Sequence, residues 1–179
     1  MKFVTRPARM SLAGALAAAA LAWAPAYAQQ NTGPLKIGVL SDFSSVYSDI
    51  GGQGNLEATK MAIEEFGGEM FGKKIEMISA DVLNKPDVAA ALGRKWYESE
   101  NVDMIIDMPT SATALAVMEL SKQFEKMLII TDAASSDITG KSCSPYTVHW
   151  TYDTYANAKT VGSAIVKQGG DSWYFITAD

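Results

Sequence analysis

Apolar and polar positions along this chain follow two different periods. Short, nearly continuous apolar runs at residues 35–40, 75–80, 104–106 and 128–130 are bounded by Gly, Pro, Asp or Ser, the pattern of strands buried on both faces. Between them the apolar residues recur at helical spacing. Leu56, Ala62, Ile63 and Phe66 mark a helix over 56–66, closed by Gly67-Gly68. Pro86 and Asp87 open the next helix, with Val88, Ala91, Leu92 and Trp96 as its stripe. Residues 111–124 are a third helix, and residues 152–167 a fourth with Ala158, Val161 and Ile165 on one side. Residues 71–74 and 140–145 read as turns, 146–150 as a short extended piece, and 173–177 as one more strand. Strand, helix and strand within residues 102–136 make a βαβ unit, whose strands run parallel. The expected class is α/β, a parallel sheet flanked by helices. The central strands are followed by hydroxyl residues, Thr110 and Ser111 in one loop, Ser135 and Ser136 in the next. Open parallel sheets bind ligands just outside the carboxyl ends of their strands, so two such loops side by side are suited to holding a carboxylate.

The amino terminus departs from this pattern. Lys2, Arg6 and Arg9 precede an apolar, Ala-rich stretch that ends in Ala26-Tyr27-Ala28, the form of a secretory signal peptide over 1–28. Residues 29–34 are a polar linker. No later apolar run is long enough to cross a bilayer. Loss of the leader takes the formal net charge from −5 to −8, since all three of its charges are positive. An acidic exported domain is a poor nucleic-acid binder, because phosphate neutralisation needs clustered Lys and Arg. The single Cys143 forbids an internal disulfide; it is either a buried free thiol or paired outside this sequence. The chain stops at Asp179 just after the strand at 173–177, leaving that strand half covered, which reads as the N-terminal part of a longer protein.

Several kinds of chemistry are open at this edge of the sheet. Asp42, Asp81, Asp107, Asp132 and Asp179 each end a strand. Such carboxylates serve a magnesium-dependent hydrolase or phosphotransfer enzyme, or they accept backbone N–H groups in loops. Gly52-Gln53-Gly54 lacks the third glycine of a dinucleotide fingerprint, since Glu57 stands there, and no phosphate loop follows. No G-x-S-x-G elbow occurs, and His149 is the only histidine, so metal sites built on two or more histidines are excluded. It lies among aromatics, where hydrogen-bonded structure or a ligand wall is the commoner role. Trp150, Tyr152 and Tyr155 are either a core cluster or the stacking face of an organic ligand site.

The leader, the run Leu35-Lys36-Ile37-Gly38-Val39-Leu40-Ser41-Asp42, the Gly51–Gly54 loop before a helix, and Asp81 closing a strand together resemble the branched-chain amino acid binding protein family. Its members are periplasmic receptors of ABC importers with a two-lobed, type I binding fold. The resemblance implies a ligand-binding lobe one over 35–151, incomplete, and a truncated start of lobe two over 152–179. It implies that Thr110 and Ser111, with Ser111 the closer match, hold a ligand carboxylate. Thr131-Asp132-Ala133-Ala134-Ser135 stands where the family reads Ser-Pro-Ala-Ala-Thr, which carries ligand binding onto the Ala133 backbone and the Ser135 hydroxyl; Asp132 replaces the proline. Tyr47 lies in the loop that usually supplies an aromatic wall, although Ile50 occupies the usual position. The segment from His149 to Asp153 resembles a branch for which aromatic acids are ligands, which adds Trp150 and Tyr152 to the site. The implied function is capture of a small carboxylate, amino acid or aromatic acid, without chemistry and without a cofactor. The implied partners are a membrane permease and its ATPase, and a ligand sensor of the same fold is the other use.

Overall fold

The computed structural model describes residues 33–176. The signal-peptide reading, most of the linker, Thr177 and Asp179 lie outside the described residues. Strand β1 (Leu35–Ser41) lies at the centre of the sheet, with its Val39 and Leu40 fully buried. The chain then forms helix α1 (Gly52–Glu65), a two-residue strand β2 (Glu69–Met70) and strand β3 (Lys73–Asp81). Helix α2 (Pro86–Glu98), strand β4 (Met104–Asp107), helix α3 (Ser111–Phe124) and strand β5 (Met127–Ile130) follow. Strand β6 (Thr147–His149) completes a sheet of order β2-β3-β1-β4-β5-β6. All neighbours are parallel except β2, which pairs antiparallel with β3.

Helices α2 and α3 cover one face. Gly93 is the point of close approach: a Cβ there would lie 3.3 Å from Leu120 and 3.5 Å from Val117. Trp96, Tyr97, Val102, Ile105, Met118 and Leu128 are buried in the core beneath them. The buried Tyr97 hydroxyl donates to the Met127 carbonyl at 2.9 Å, and burial pushes its phenol pKa up. Pro86 opens α2 at its first turn with Asp87 beside it. Thr110 caps α3 in a reciprocal box with Thr113.

The sequence-based elements differ from the structure in five places. Helix α1 starts at Gly52 rather than at 56, because Gly52 takes a positive φ of 46° and its N–H donates to Ser41 Oγ at 2.8 Å. The turn at Phe71-Gly72 has positive φ at both residues, 53° and 72°, and so closes a tight hairpin that adds β2. In α2 the buried face is Ala89, Gly93, Trp96 and Tyr97, while Ala91 is exposed. Residues 152–167 fold as α4 (Thr154–Asn157), a π-helical turn (Ala158–Gly162) and α5 (Ser163–Lys167), with Ala158, Val161 and Ile165 exposed rather than packed. No strand forms over the described part of 173–177: no neighbouring strand pairs with it, and Trp173, Tyr174, Phe175 and Ile176 are exposed. Cys143 is likewise exposed, not buried.

Candidate functional site

The strand order places β1 between β3 and β4. The chain leaves β1 for β3 on one side and later returns to β4 on the other, so the loops diverge at the carboxyl ends of β1 and β4. That divergence makes the crevice in which open α/β sheets bind ligands. Three loops border it: residues 42–51 after β1, 108–110 after β4 and 131–136 after β5.

The first loop is organised by a carboxylate. Asp42 is fully buried and accepts from the Ser45 hydroxyl and from the N–H groups of Ser44, Ser45 and Tyr47. Burial opposes its charge, but these hydrogen bonds outweigh burial and hold its pKa below the usual carboxylate value. Asp81 does similar work across the edge, accepting from Phe43 N–H, Ser44 Oγ and Leu83 N–H. Both aspartates are thus engaged as loop acceptors, and among the described residues no group of three or more His, Cys, Asp or Glu converges as metal ligands do.

Of the residues the sequence pointed to, the structure brings Ser111 and Ser135 together: the Ser135 N–H donates to Ser111 Oγ at 3.1 Å. Ala133 is buried beside them, its N–H on the Met108 carbonyl at 3.2 Å and its carbonyl 2.7 Å from His149 Nε2. His149 therefore braces the β5 loop from β6. The Thr110 hydroxyl is turned inward, donating to Asn84 Oδ1 at 3.0 Å and meeting Thr113 Oγ1. Tyr47 is half-buried in the β1 loop. Trp150 and Tyr152 stand 78% and 62% exposed on the segment that leaves β6, and the Thr154 N–H a little further on donates to the Ala134 carbonyl of the β5 loop at 2.8 Å. Tyr155 is exposed as well, so the aromatic residues do not form a core cluster here.

A second polar cluster lies under the same loops. Asn55, in the first turn of α1, donates through Nδ2 to Asp107 Oδ1 at 2.9 Å and to Asp132 Oδ2 at 2.6 Å. Thr131 Oγ1 lies 3.3 Å from each of those carboxylate oxygens. Asp107 is 1% exposed, and burial together with the adjoining Asp132 carboxyl pushes its pKa up to about 8. Sequence reasoning noted both aspartates as strand ends but missed Asn55, because no local pattern marks a residue whose partners lie 52 and 77 positions away. Asp132 in place of proline was the one available signal.

A sheet edge of this topology is the place where open α/β folds bind ligands, and here two hydroxyl-bearing loops meet there. The chain matches the model for periplasmic binding proteins over residues 34–179 and belongs to that family. It is 26% identical over 156 residues to Leu/Ile/Val-binding protein homolog 6 of Brucella abortus, covering 87% of this chain and 38% of that relative. Its fold matches a periplasmic binding protein of Burkholderia mallei, with 45% identity and a TM-score of 0.74 over 78% of this chain and 37% of the other. It also matches a solute-binding protein of an ABC transporter from Rhodopseudomonas palustris, solved with 3,4-dihydroxybenzoic acid. That match has 27% identity and a TM-score of 0.69 over 76% of this chain and 37% of the other. The chain thus spans well under half the length of these relatives.

Proposed function

We propose that residues 35–151 are lobe one of an extracytoplasmic receptor of an ABC importer, and that residues 152–179 begin its second lobe. The receptor takes a small carboxylate between the two lobes and presents it to a permease and its ATPase. The observation that carries this reading is the junction of Ser111 and Ser135 at the divergent edge of the sheet. Two hydroxyls and nearby backbone N–H groups at the start of α3 offer hydrogen bonds to an anion without a full positive charge. The ligand of the Rhodopseudomonas palustris relative is an aromatic acid, and Trp150, Tyr152 and Tyr47 supply ring surface beyond what an aliphatic side chain needs. The leader over 1–28 directs export, in keeping with a periplasmic family.

The test is calorimetry on the complete receptor with benzoate, 4-hydroxybenzoate and leucine. Saturable binding of a carboxylate is expected, and Ser111→Ala together with Ser135→Ala should weaken it by about tenfold or more, as loss of two hydrogen bonds to a charged group does. Retention of full affinity in the double variant would remove these hydroxyls from the site.

A further inference from the structure

We propose that Asn55, Asp107 and Asp132 form a latch, held by one proton, that fixes the first turn of α1 to the ends of β4 and β5. The amide of Asn55 has two hydrogens, and its two short contacts go to carboxylates from two different strand ends. One amide cannot neutralise two charges. The hydrogen-bond partners of the pair in this cluster are Asn55 and Thr131, both uncharged. From β1 the Ser41 hydroxyl, whose oxygen accepts from the Gly52 N–H, keeps its hydrogen for Asp107, and it too is uncharged. His149 faces the Ala133 carbonyl, Asp42 is spent on its own loop, and Lys60, Lys95, Lys122 and Lys141 pair with glutamates or Asp137 at the surface. Asp107 Oδ2 is buried without a hydrogen-bond partner among the described residues, a position an ionised carboxylate occupies only at high cost. A proton on Asp107 removes that cost and the repulsion between the two carboxyls.

The backbone is bent to make this contact. In the β4 register Asp107 follows Ile105 on the face toward α2 and α3 by strand alternation, yet its carboxyl meets α1 on the other face. Asp107 and Met108 both take positive φ, 98° and 76°, which non-glycine residues rarely adopt. Gly51 is packed directly over the cluster: a Cβ there would come within 2.8 Å of Asp132 Oδ2 and 2.9 Å of Asn55 Nδ2. The latch thus ties the first turn of α1 and the end of β4 to the loop after β5, with Gly51 of the β1 loop packed over it.

Deprotonation of Asp107 puts two charges on one amide and loosens α1 from the sheet. Two measurements on the intact chain test this. In aspartate-labelled protein, one carboxyl carbon should titrate with a midpoint near 8. Asp132→Asn, which removes the neighbouring charge, should move that midpoint down. The melting temperature should fall as pH rises from about 4 to about 8 and level off above that, and Asp107→Asn, neutral throughout, should flatten that slope. Titration of every carboxyl below about pH 5, an unmoved midpoint in Asp132→Asn, or an unchanged slope in Asp107→Asn would each overturn the latch. Should Asp107→Asn fail to fold, the Asp132→Asn midpoint decides alone.

Discussion

At the scale of single residues, Asp42, just past β1, and Asp107, the last residue of β4, have pKa values shifted in opposite directions. Asp42 accepts from Ser45 and three backbone N–H groups, so its ionised form is stabilised despite burial. Asp107 is more deeply desolvated and meets only one amide and the Thr131 and Ser41 hydroxyls, with a second carboxyl beside it, so burial wins and its neutral form is favoured. The sign of the pH dependence follows from the direction of each shift. The contribution of Asp42 is present above its ordinary value of about 3.9 and is lost as pH falls through its lowered folded pKa. The contribution of Asp107 is present below that same ordinary value and is lost as pH rises through its raised folded pKa. Asp42→Asn places an amide against N–H donors, so it should lower the melting temperature at neutral pH and flatten the acid limb of the stability profile. Melting curves at neutral pH and at about pH 3 check this; an unchanged neutral melting temperature would show that the loop does not need the charge.

Between elements, α2 packs tightly onto β1 at Gly38. A Cβ on Gly38 would lie 2.5 Å from two ring atoms of Trp96 and 3.3 Å from Val102. Trp96 is only 4% exposed and has no room to withdraw. Gly38→Ala should therefore destabilise the chain by about 1–3 kcal/mol, the usual cost of overpacking. Gly54 is the control: it lies inside α1 with nothing within 4 Å of its missing Cβ. Gly54→Ala should stabilise α1 by roughly 0.5–1 kcal/mol through helix propensity. Urea denaturation of the two variants side by side measures both, and equal effects would mean that packing against Trp96 is not the determinant. The other face of the sheet is less complete. A cavity of about 350 Å³ lies beside α1, lined by Ile37, Ile63, Phe66, Ile75, Met104 and Ile106 among others. Phe66 remains 59% exposed there, so the apolar stripe of α1 is only partly covered.

For the molecule as a whole, the proposed mechanism is closure of two lobes over a ligand held first on one of them. Trp150 follows β6, its N–H on the Ile130 carbonyl at 2.8 Å, so its backbone is anchored to the sheet while its ring is 78% exposed. On the two-lobed reading that ring is covered when the lobes close on a planar ligand. Trp150→Ala in the complete receptor should then weaken benzoate by about 0.5–1.5 kcal/mol more than it weakens leucine, the usual worth of an aromatic pair beyond buried area. Calorimetry with both ligands is the check, and equal losses would remove Trp150 from the site.

Most of the sheet was legible along the chain because its determinants are local. Leu35–Ser41, Met104–Asp107 and Met127–Ile130 are apolar runs ended by turn residues, and Ser111–Phe124 opens at a hydroxyl cap, so the βαβ order follows from nearest neighbours. The pairing of hydroxyl loops after β4 and β5 followed from that order, since parallel strands joined by one helix put their carboxyl ends side by side. What the tertiary structure alone decided rests on distant contacts and on backbone conformations that no local pattern requires. The early start of α1 depends on a hydrogen bond from Gly52 to Ser41, and the irregular course of residues 171–176 on the lack of a strand to pair with. The meeting of Asn55 with Asp107 and Asp132 depends on a positive φ at Asp107 that turns a strand-end carboxyl across the sheet. Residue type and spacing set which segments pair; the energy of burying a charge is fixed only by what the folded chain places around it.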